Sequence, residues 1–348
     1  MKFEIENSSV GESSHTFIIA ELSANHNHSF ETALKSIEAI KECGADAVKL
    51  QTYTADTITI DCDKEHFQIK QGTLWDGTTL YKLYQQAYTP WEWQPKLKNY
   101  AESIGLICFS TPFDKTAVDF LETMNVPAYK IASFEIVDLP LIEYAASKRK
   151  PIIISTGIAT EDEITEAVDA CRKNGNEQIA LLKCTSEYPA PIEEANLLSI
   201  PYLKEKFNVV AGLSDHTLGI TTSIAAVALG ANIIEKHFIL DRTIGGPDSY
   251  FSLEPNEFKQ MVTAIRDAEK SLGKPTFELT EKIKKSRHFS RSLFAVKNIL
   301  QGEMLTEDNV RSIRPSGGLP PKEIYKVLGK KAAHNIFKGT PINWNLIE

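Results

Sequence analysis

Short apolar, largely β-branched runs recur along the first 240 residues: Phe17 to Leu22, Ala47 to Leu50, Leu106 to Phe109, Ala128 to Ile131, Ile152 to Ile154, Ile179 to Leu182, Val209 to Leu213 and Ile233 to Phe238. Their length and residue types predict strands. Between them the apolar positions take up helical spacing, in Glu31 to Cys43, Ala117 to Met124, Glu161 to Lys173 and Thr221 to Leu229. Strand then helix, repeated, implies a parallel sheet, because parallel neighbours need a crossover connection. Eight such units in about 270 residues match a closed (β/α)8 barrel, with a doubly wound open sheet as the alternative.

Each run ends in polar residues. Glu21 follows the first, Lys49 and Gln51 the second, Ser110 and Thr111 the third, Lys130 and Ser133 the fourth. Ser155, then Lys183 and Thr185, then Ser214, Asp215 and His216, and finally Glu235 and His237 finish the rest. A barrel builds its active site at those strand ends, so this recurrence points to chemistry rather than packing. One interval is long. Thr52 to Gly105 carries Leu74, Trp75, Tyr81, Tyr84, Tyr88, Trp91 and Trp93. Its second part, Thr79 to Ile104, reads as a helix, and Tyr53 to Gly77 as a loop on the active-site face, placed to act as a lid or specificity element.

After Glu254, the stretch Asn256 to Leu272 predicts a closing helix, stopped by Gly273, Lys274 and Pro275. The expected organisation is a barrel over residues 1–280, a linker over 281–291 containing the basic segment Lys282 to Arg291, and a small domain over 292–348. That small domain has strand-like runs at Ser292 to Val296 and Val310 to Ile313, turns at Gly302 and Gly317 to Pro320, and a final run Ile336 to Ile347. Some sixty residues make a thin core, which calls for support from the barrel or a second subunit.

Composition narrows the functional classes. Among 348 residues, 42% are hydrophobic and 24% charged, with 18 Gly and 16 Pro, which excludes a disordered, collagen-like or coiled-coil chain. The net charge of −8 carries no long run of one sign, so neither nucleic acid nor an acidic membrane surface is an expected partner. An anionic ligand then needs a local pocket. Cys43, Cys62, Cys108, Cys171 and Cys184 form an odd set without a CxxC pair, which fits reduced thiols in a cytoplasm. The acidic, polar N-terminus is unlike a signal peptide, and no window approaches the roughly 18 apolar residues of a membrane span.

His216 and His237 end the seventh and eighth runs and can converge on one divalent transition metal acting as a Lewis acid. Glu21 and Asp248 are carboxylates for acid–base work or for gripping sugar hydroxyls; either could instead be a salt-bridge partner. Lys49, Lys130 and Lys183, with Thr111, Ser133, Ser155 and Ser214, have the composition of a cradle for phosphate and carboxylate. A strand-end lysine could alternatively form a Schiff base.

The stretches IIAELSANHNHS, DAVKLQTYT, FSTPFD, AYKIASFE, IISTGIAT, LLKCTSEYP, GLSDHTLG, IIEKHFILD, GPDSYFSL and SIRPSGGL, in this order, resemble the sialic acid synthase family over nearly the whole chain. Within it, ELSANH, KLQTYT, the LWD of Leu74 to Asp76 and KIASFE are most similar to the branch that uses 2,4-diacetamido-2,4,6-trideoxy-altrose. Members that use N-acetylmannosamine tend to carry asparagine at the Ser186 position and Gly-Ser-Gly-Glu where this chain has Ala132, Ser133, Phe134 and Glu135.

The resemblance implies a (β/α)8 TIM barrel followed by an antifreeze-like (SAF) domain, in a domain-swapped homodimer whose small domain covers the partner's active site. It implies that His216 and His237 hold Mn2+, with Mg2+ or Co2+ as alternatives. Lys49, Thr111, Lys130, Ser133, Ser155, Ser186 and Ser214 match phosphoenolpyruvate-binding positions. Glu21, Gln51, Tyr188 and Asp248 match the sugar side, and Arg314 matches an arginine offered by the neighbouring subunit's tail. The expected reaction condenses phosphoenolpyruvate with an open-chain acetamido sugar, giving a nine-carbon 2-keto acid and phosphate, with Glu21 moving a proton. A manno-configured acetamido sugar is the alternative acceptor. Two rivals stand beside this reading: a metal-independent aldolase with Lys130 or Lys183 as Schiff base, and a non-catalytic carbohydrate-binding protein.

Overall fold

The eight apolar runs close into one parallel barrel in the computed structural model, which describes residues 1–348. A short antiparallel hairpin comes first, β1 (Lys2–Ile5) and β2 (Ser8–Gly11). The barrel strands follow: β3 (Phe17–Glu21), β4 (Ala47–Thr52), β5 (Ile107–Pro112), β6 (Tyr129–Ile131), β7 (Ile152–Ser155), β8 (Ile179–Cys184), β9 (Val210–Asp215) and β10 (Ile233–His237). Each pairs in parallel with the next, and β10 returns to β3, so no edge is left unpaired. The open-sheet alternative is thereby excluded.

Eight helices cover the strands: α1 (Phe30–Cys43), α2 (Gln94–Ser103), α3 (Lys115–Thr123), α4 (Leu139–Ala146), α5 (Glu161–Lys173), α6 (Ser199–Phe207), α7 (Thr221–Ala228) and α8 (Pro255–Leu272). The causes are local in α1. The Ser29 hydroxyl accepts from the Thr32 amide and caps the start, and Ala33, Ile37 and Ile40 bury one stripe against the barrel. Gly44, with φ at 86°, then ends the helix in a left-handed turn that costs other residues more. Burying a side chain of this size contributes roughly 1.5–3 kcal/mol, so truncating Ile37 would cost about 2–5 kcal/mol.

Three local expectations change. The stretch 79–104 is two helices, Leu80–Ala87 and α2, because Pro90 and a tight turn at Trp91–Trp93 break it; only α2 is the crossover. The N-terminal hairpin escapes a reading of the first residues as merely polar. Phe3, Ile5 and Val10 alternate inward and join the barrel core, while the Gly11 carbonyl accepts from Asn232 just before β10. The long loop after β4 carries its own structure, a helical turn at Ala55–Ile58 and an antiparallel bridge between Gln68 and Thr79.

The chain divides into two compact units, Met1–Gly273 and Lys274–Glu348. In the second, β11 (Ser292–Ala295) and β12 (Val310–Ile313) pair antiparallel over Leu293, Ile299, Leu305, Val327, Ile336 and Ile342. The final run is not a strand: Ile336, Pro341 and Ile347 make isolated bridges. A helix at Glu281–Ser286 falls within the segment expected as linker. No helix is long and apolar enough to cross a membrane.

Candidate active site

Side chains alternate along a strand, so each strand sends only every second residue into the barrel. The register places Glu21 beside both Lys49 and His237, Gln51 beside Thr111, and Ser214 beside Glu235. Four buried charges meet at the C-terminal mouth. Lys49 is ion-paired with Glu21, and its Nζ lies 3.6 Å from Glu235 and donates to Thr111 Oγ1 at 3.1 Å. Lys130 Nζ lies 3.8 Å from Glu235 and donates to Ser155 Oγ at 2.6 Å. Ser214 Oγ donates to Glu235 at 3.2 Å. Glu235, which the sequence places at a strand end without a role, is thus the hub between the two lysines.

Electrostatics separates the two carboxylates. Burial raises the Glu21 carboxyl to about 7, against the pull of Lys49 and with the added repulsion of Glu235. Burial also acts on Glu235, yet Lys130 and Lys49 together hold it below the usual carboxylate range. Two like groups with pKa values pushed apart is the pattern of an acid–base site. Glu135, in the turn Ser133–Glu135, is likewise raised by burial to about 7, despite Lys130. Its place in KIASFE was the available sequence signal. Glu21 Oε1, Glu135 Oε2, Glu235 Oε2 and His237 Nδ1 are buried without a hydrogen-bond partner, a cost that a packed core would not carry.

His216 and His237 have ring centroids 5.3 Å apart. His216 Nδ1 faces the Thr185 carbonyl at 3.0 Å, so it carries the proton and leaves Nε2 as an acceptor. Burial pushes His237 well below the ordinary histidine range, helped by the positive His216 environment, and keeps it neutral. Asp248 Oδ2 lies 3.9 Å from His237 Nδ1 and accepts from Ser23. With His237 held neutral and one of its buried nitrogens unpartnered, the pair fits a divalent metal, and the Thr185 carbonyl fixes the orientation of the His216 ring. No group of three His, Cys, Asp or Glu is assembled to hold an ion, so the remaining positions would fall to oxygen donors from water or substrate.

Ser133 and Ser186 come together from different loops, their hydroxyls 2.8 Å apart. Gly157 makes this possible. A Cβ there would stand 2.2 Å from Ser186 Oγ and 2.6 Å from Ser133 Oγ. Tyr188 stacks over His216, centroids 4.5 Å apart, with Phe251 at 5.3 Å. Gln51 is partly buried on the Lys49 face of β4.

Lys183 is the exception among the cradle lysines. On β8, Cys184 faces His216 and Ser186, so Lys183 has the opposite parity, and its Nζ donates to the Cys184 carbonyl at 2.7 Å. Lys130 has a buried ammonium, but it is engaged with Ser155, the Ile131 carbonyl and Glu235. Arg314 belongs to the second unit, follows β12, and is exposed without an ion pair. Two recesses of about 610 and 500 Å3, lined by residues such as Ser9 and Asp46 or Pro201 and Lys204, contain none of these groups.

A closed parallel barrel whose strand ends converge ionised, hydroxyl and imidazole side chains on one buried mouth defines a (β/α)8-barrel enzyme site. A family model described as the NeuB family matches residues 36–276, and a SAF domain model matches 290–348. The chain belongs to the NeuB family. It is 53% identical over 320 residues to a pseudaminic acid synthase of Campylobacter jejuni, covering 92% of this chain and 93% of the relative. It is 51% identical to a pseudaminic acid synthase of Helicobacter pylori, over 95% and 97% of the two chains. Among solved structures, an N-acetylneuraminic acid synthetase from Leptospira borgpetersenii superposes with a TM-score of 0.73 at 32% identity, covering 82% and 95%.

Proposed function

We propose that this protein condenses phosphoenolpyruvate with the open-chain aldehyde of 2,4-diacetamido-2,4,6-trideoxy-altrose, releasing phosphate and forming pseudaminic acid. The carrying observation is the buried chain of contacts Glu21–Lys49–Glu235–Lys130, with Glu21 beside His237 in register and four of the mouth's polar atoms unpartnered. The graded similarity, above 50% to two pseudaminic acid synthases and 32% to an N-acetylneuraminic acid synthetase, favours this acceptor over N-acetylmannosamine.

In this reading Lys49 and Lys130 take the phosphate and carboxylate of phosphoenolpyruvate, with Thr111, Ser133, Ser155, Ser186 and Ser214 supplying hydroxyls. His216 and His237 would hold a divalent cation, Mn2+ first and Mg2+ or Co2+ after it, which supplies Lewis-acid polarisation of the aldehyde oxygen. The methylene carbon of phosphoenolpyruvate attacks the aldehyde carbon, and positive charge develops at the enol-phosphate carbon beside ionised Glu235. Glu21, poised near neutrality, accepts the proton of the water that adds there and passes it to the alkoxide that the aldehyde oxygen has become. The carbon–oxygen bond to phosphate then breaks, the hydroxyl on that carbon becomes the keto group as its proton goes to the departing phosphate, and the phosphate leaves among the lysines. Gln51, Tyr188 and Asp248 orient the sugar, and Arg314 of a second subunit completes its site in a homodimer.

Phosphate release from phosphoenolpyruvate is the test, with Mn2+ and each of three sugars: the altro-configured diacetamido sugar, its manno-configured counterpart and N-acetylmannosamine, with and without EDTA. Release with the first alone, abolished by EDTA, is the expected result. Preference for another sugar moves the substrate, metal-independent turnover overturns the Lewis-acid role, and silence with all three favours a carbohydrate-binding protein.

A further inference from the structure

The loop between β4 and α2 ends in a turn that presents one large side chain. Asp76 builds the turn: its carboxylate accepts from the amides of Gly72 and Thr73, both at 2.9 Å, and from the Thr73 hydroxyl at 2.9 Å. Below it, Ile69 and Thr78 are joined by a backbone hydrogen bond and Ile69 is buried, so the tip is held by its own contacts. Trp75 leaves this turn toward the barrel mouth. Its ring lies 5.5 Å from Tyr188, tilted at 49°, and its Nε1–H donates to the Pro247 carbonyl at 3.1 Å, one residue before Asp248.

Two consequences follow. The only polar atom of the indole is already satisfied by protein, so what Trp75 offers a ligand is an apolar face. Tyr188 in turn lies against His216, so Trp75 sits one ring further from the histidine pair than Tyr188 does. An open-chain hexose with C1 at the histidines reaches about 6 Å to C6 through five bonds of roughly 1.5 Å, which brings C4 to C6 to the level of these two rings.

We propose that Trp75 is a specificity-determining residue: an apolar wall that accepts the methyl end and 4-acetamido group of a 6-deoxy sugar and disfavours a sugar with hydroxyls at C4 and C6. This rests on the substrate assignment above. A hydroxyl placed against the indole face loses water without gaining a partner, whereas a methyl gains packing. The asymmetry of such sites is worth roughly 10- to 100-fold in kcat/KM.

The experiment compares wild type, Trp75→Ala and Trp75→Phe with the altro-configured diacetamido sugar and with N-acetylmannosamine. In Trp75→Ala, KM for the diacetamido sugar should rise roughly 10- to 100-fold, KM for phosphoenolpyruvate should stay within about twofold, and the preference for the 6-deoxy sugar should fall at least tenfold. Trp75→Phe should retain most of the preference, and circular dichroism should show all three folded alike. Tryptophan emission should respond to the diacetamido sugar in wild type and lose that response in Trp75→Phe. An unchanged preference in a folded Trp75→Ala overturns this role while leaving the substrate assignment standing. A wild type that prefers N-acetylmannosamine overturns both.

Discussion

Asp215 and Lys236 sit on adjacent strands, β9 and β10, with side chains fully buried and 3.0 Å apart, on the opposite parity to Ser214, Glu235 and the two histidines. Asp215 also accepts from the Thr217 amide at 2.9 Å, the Thr217 hydroxyl at 2.8 Å and Ser223 Oγ at 2.6 Å. Asp215→Ala removes all of this at once. It leaves Lys236 as a buried charge with no counter-ion, which costs about 3–5 kcal/mol. For a unit of this size that corresponds to a fall in Tm of roughly 10 °C. Lys236→Met should cost less, because Asp215 keeps three donors. Asp215→Ala with Lys236→Met should recover part of the single-mutant loss, since the unpaired charge is gone while the Thr217 and Ser223 donors stay unpaired. Burial already holds the Lys236 pKa below its ordinary value. Without Asp215 the folded state binds that proton less tightly still, so the deficit should shrink as pH rises. Thermal and urea unfolding of the full chain at pH 7 and pH 9 measure all of this. A Tm drop below 3 °C in Asp215→Ala, or a double variant less stable than Asp215→Ala alone, would refute the reasoning.

Gly157→Ala forces a Cβ onto Ser133 and Ser186; KM for phosphoenolpyruvate should rise at least tenfold with the Tm nearly unchanged, and an unaltered KM would remove that serine pair from the binding site. If Glu21 accepts a proton with its pKa raised to about 7, kcat/KM should fall about tenfold per pH unit below 7. Glu21→Gln should lose at least a hundredfold in kcat, and a flat wild-type profile from pH 5.5 to 8 would transfer the role to another group.

The hydrophobic pattern was enough to read the barrel, because eight short apolar runs separated by helix-period stretches leave few other ways to bury both faces of a parallel sheet. It also determined which strand ends carry polar groups, since a strand residue is placed by its run. It identified the long loop after the second barrel strand, but not what its tip touches. The structure alone decided which polar residues share the mouth: parity and register turned Lys183 and Asp215 away and brought Glu235 between Lys49 and Lys130. It alone joined Ser133 to Ser186 over Gly157, and Trp75 to Tyr188 across 113 positions. The hairpin Lys2–Gly11 was hidden because the barrel residues it packs against lie far along the chain, whereas the break at Pro90 was a local signal that the helical reading of 79–104 passed over. Periodicity is a property of neighbours in sequence and survives in a string of letters. Contact between residues on different strands depends on register and closure, which exist only once the barrel has formed.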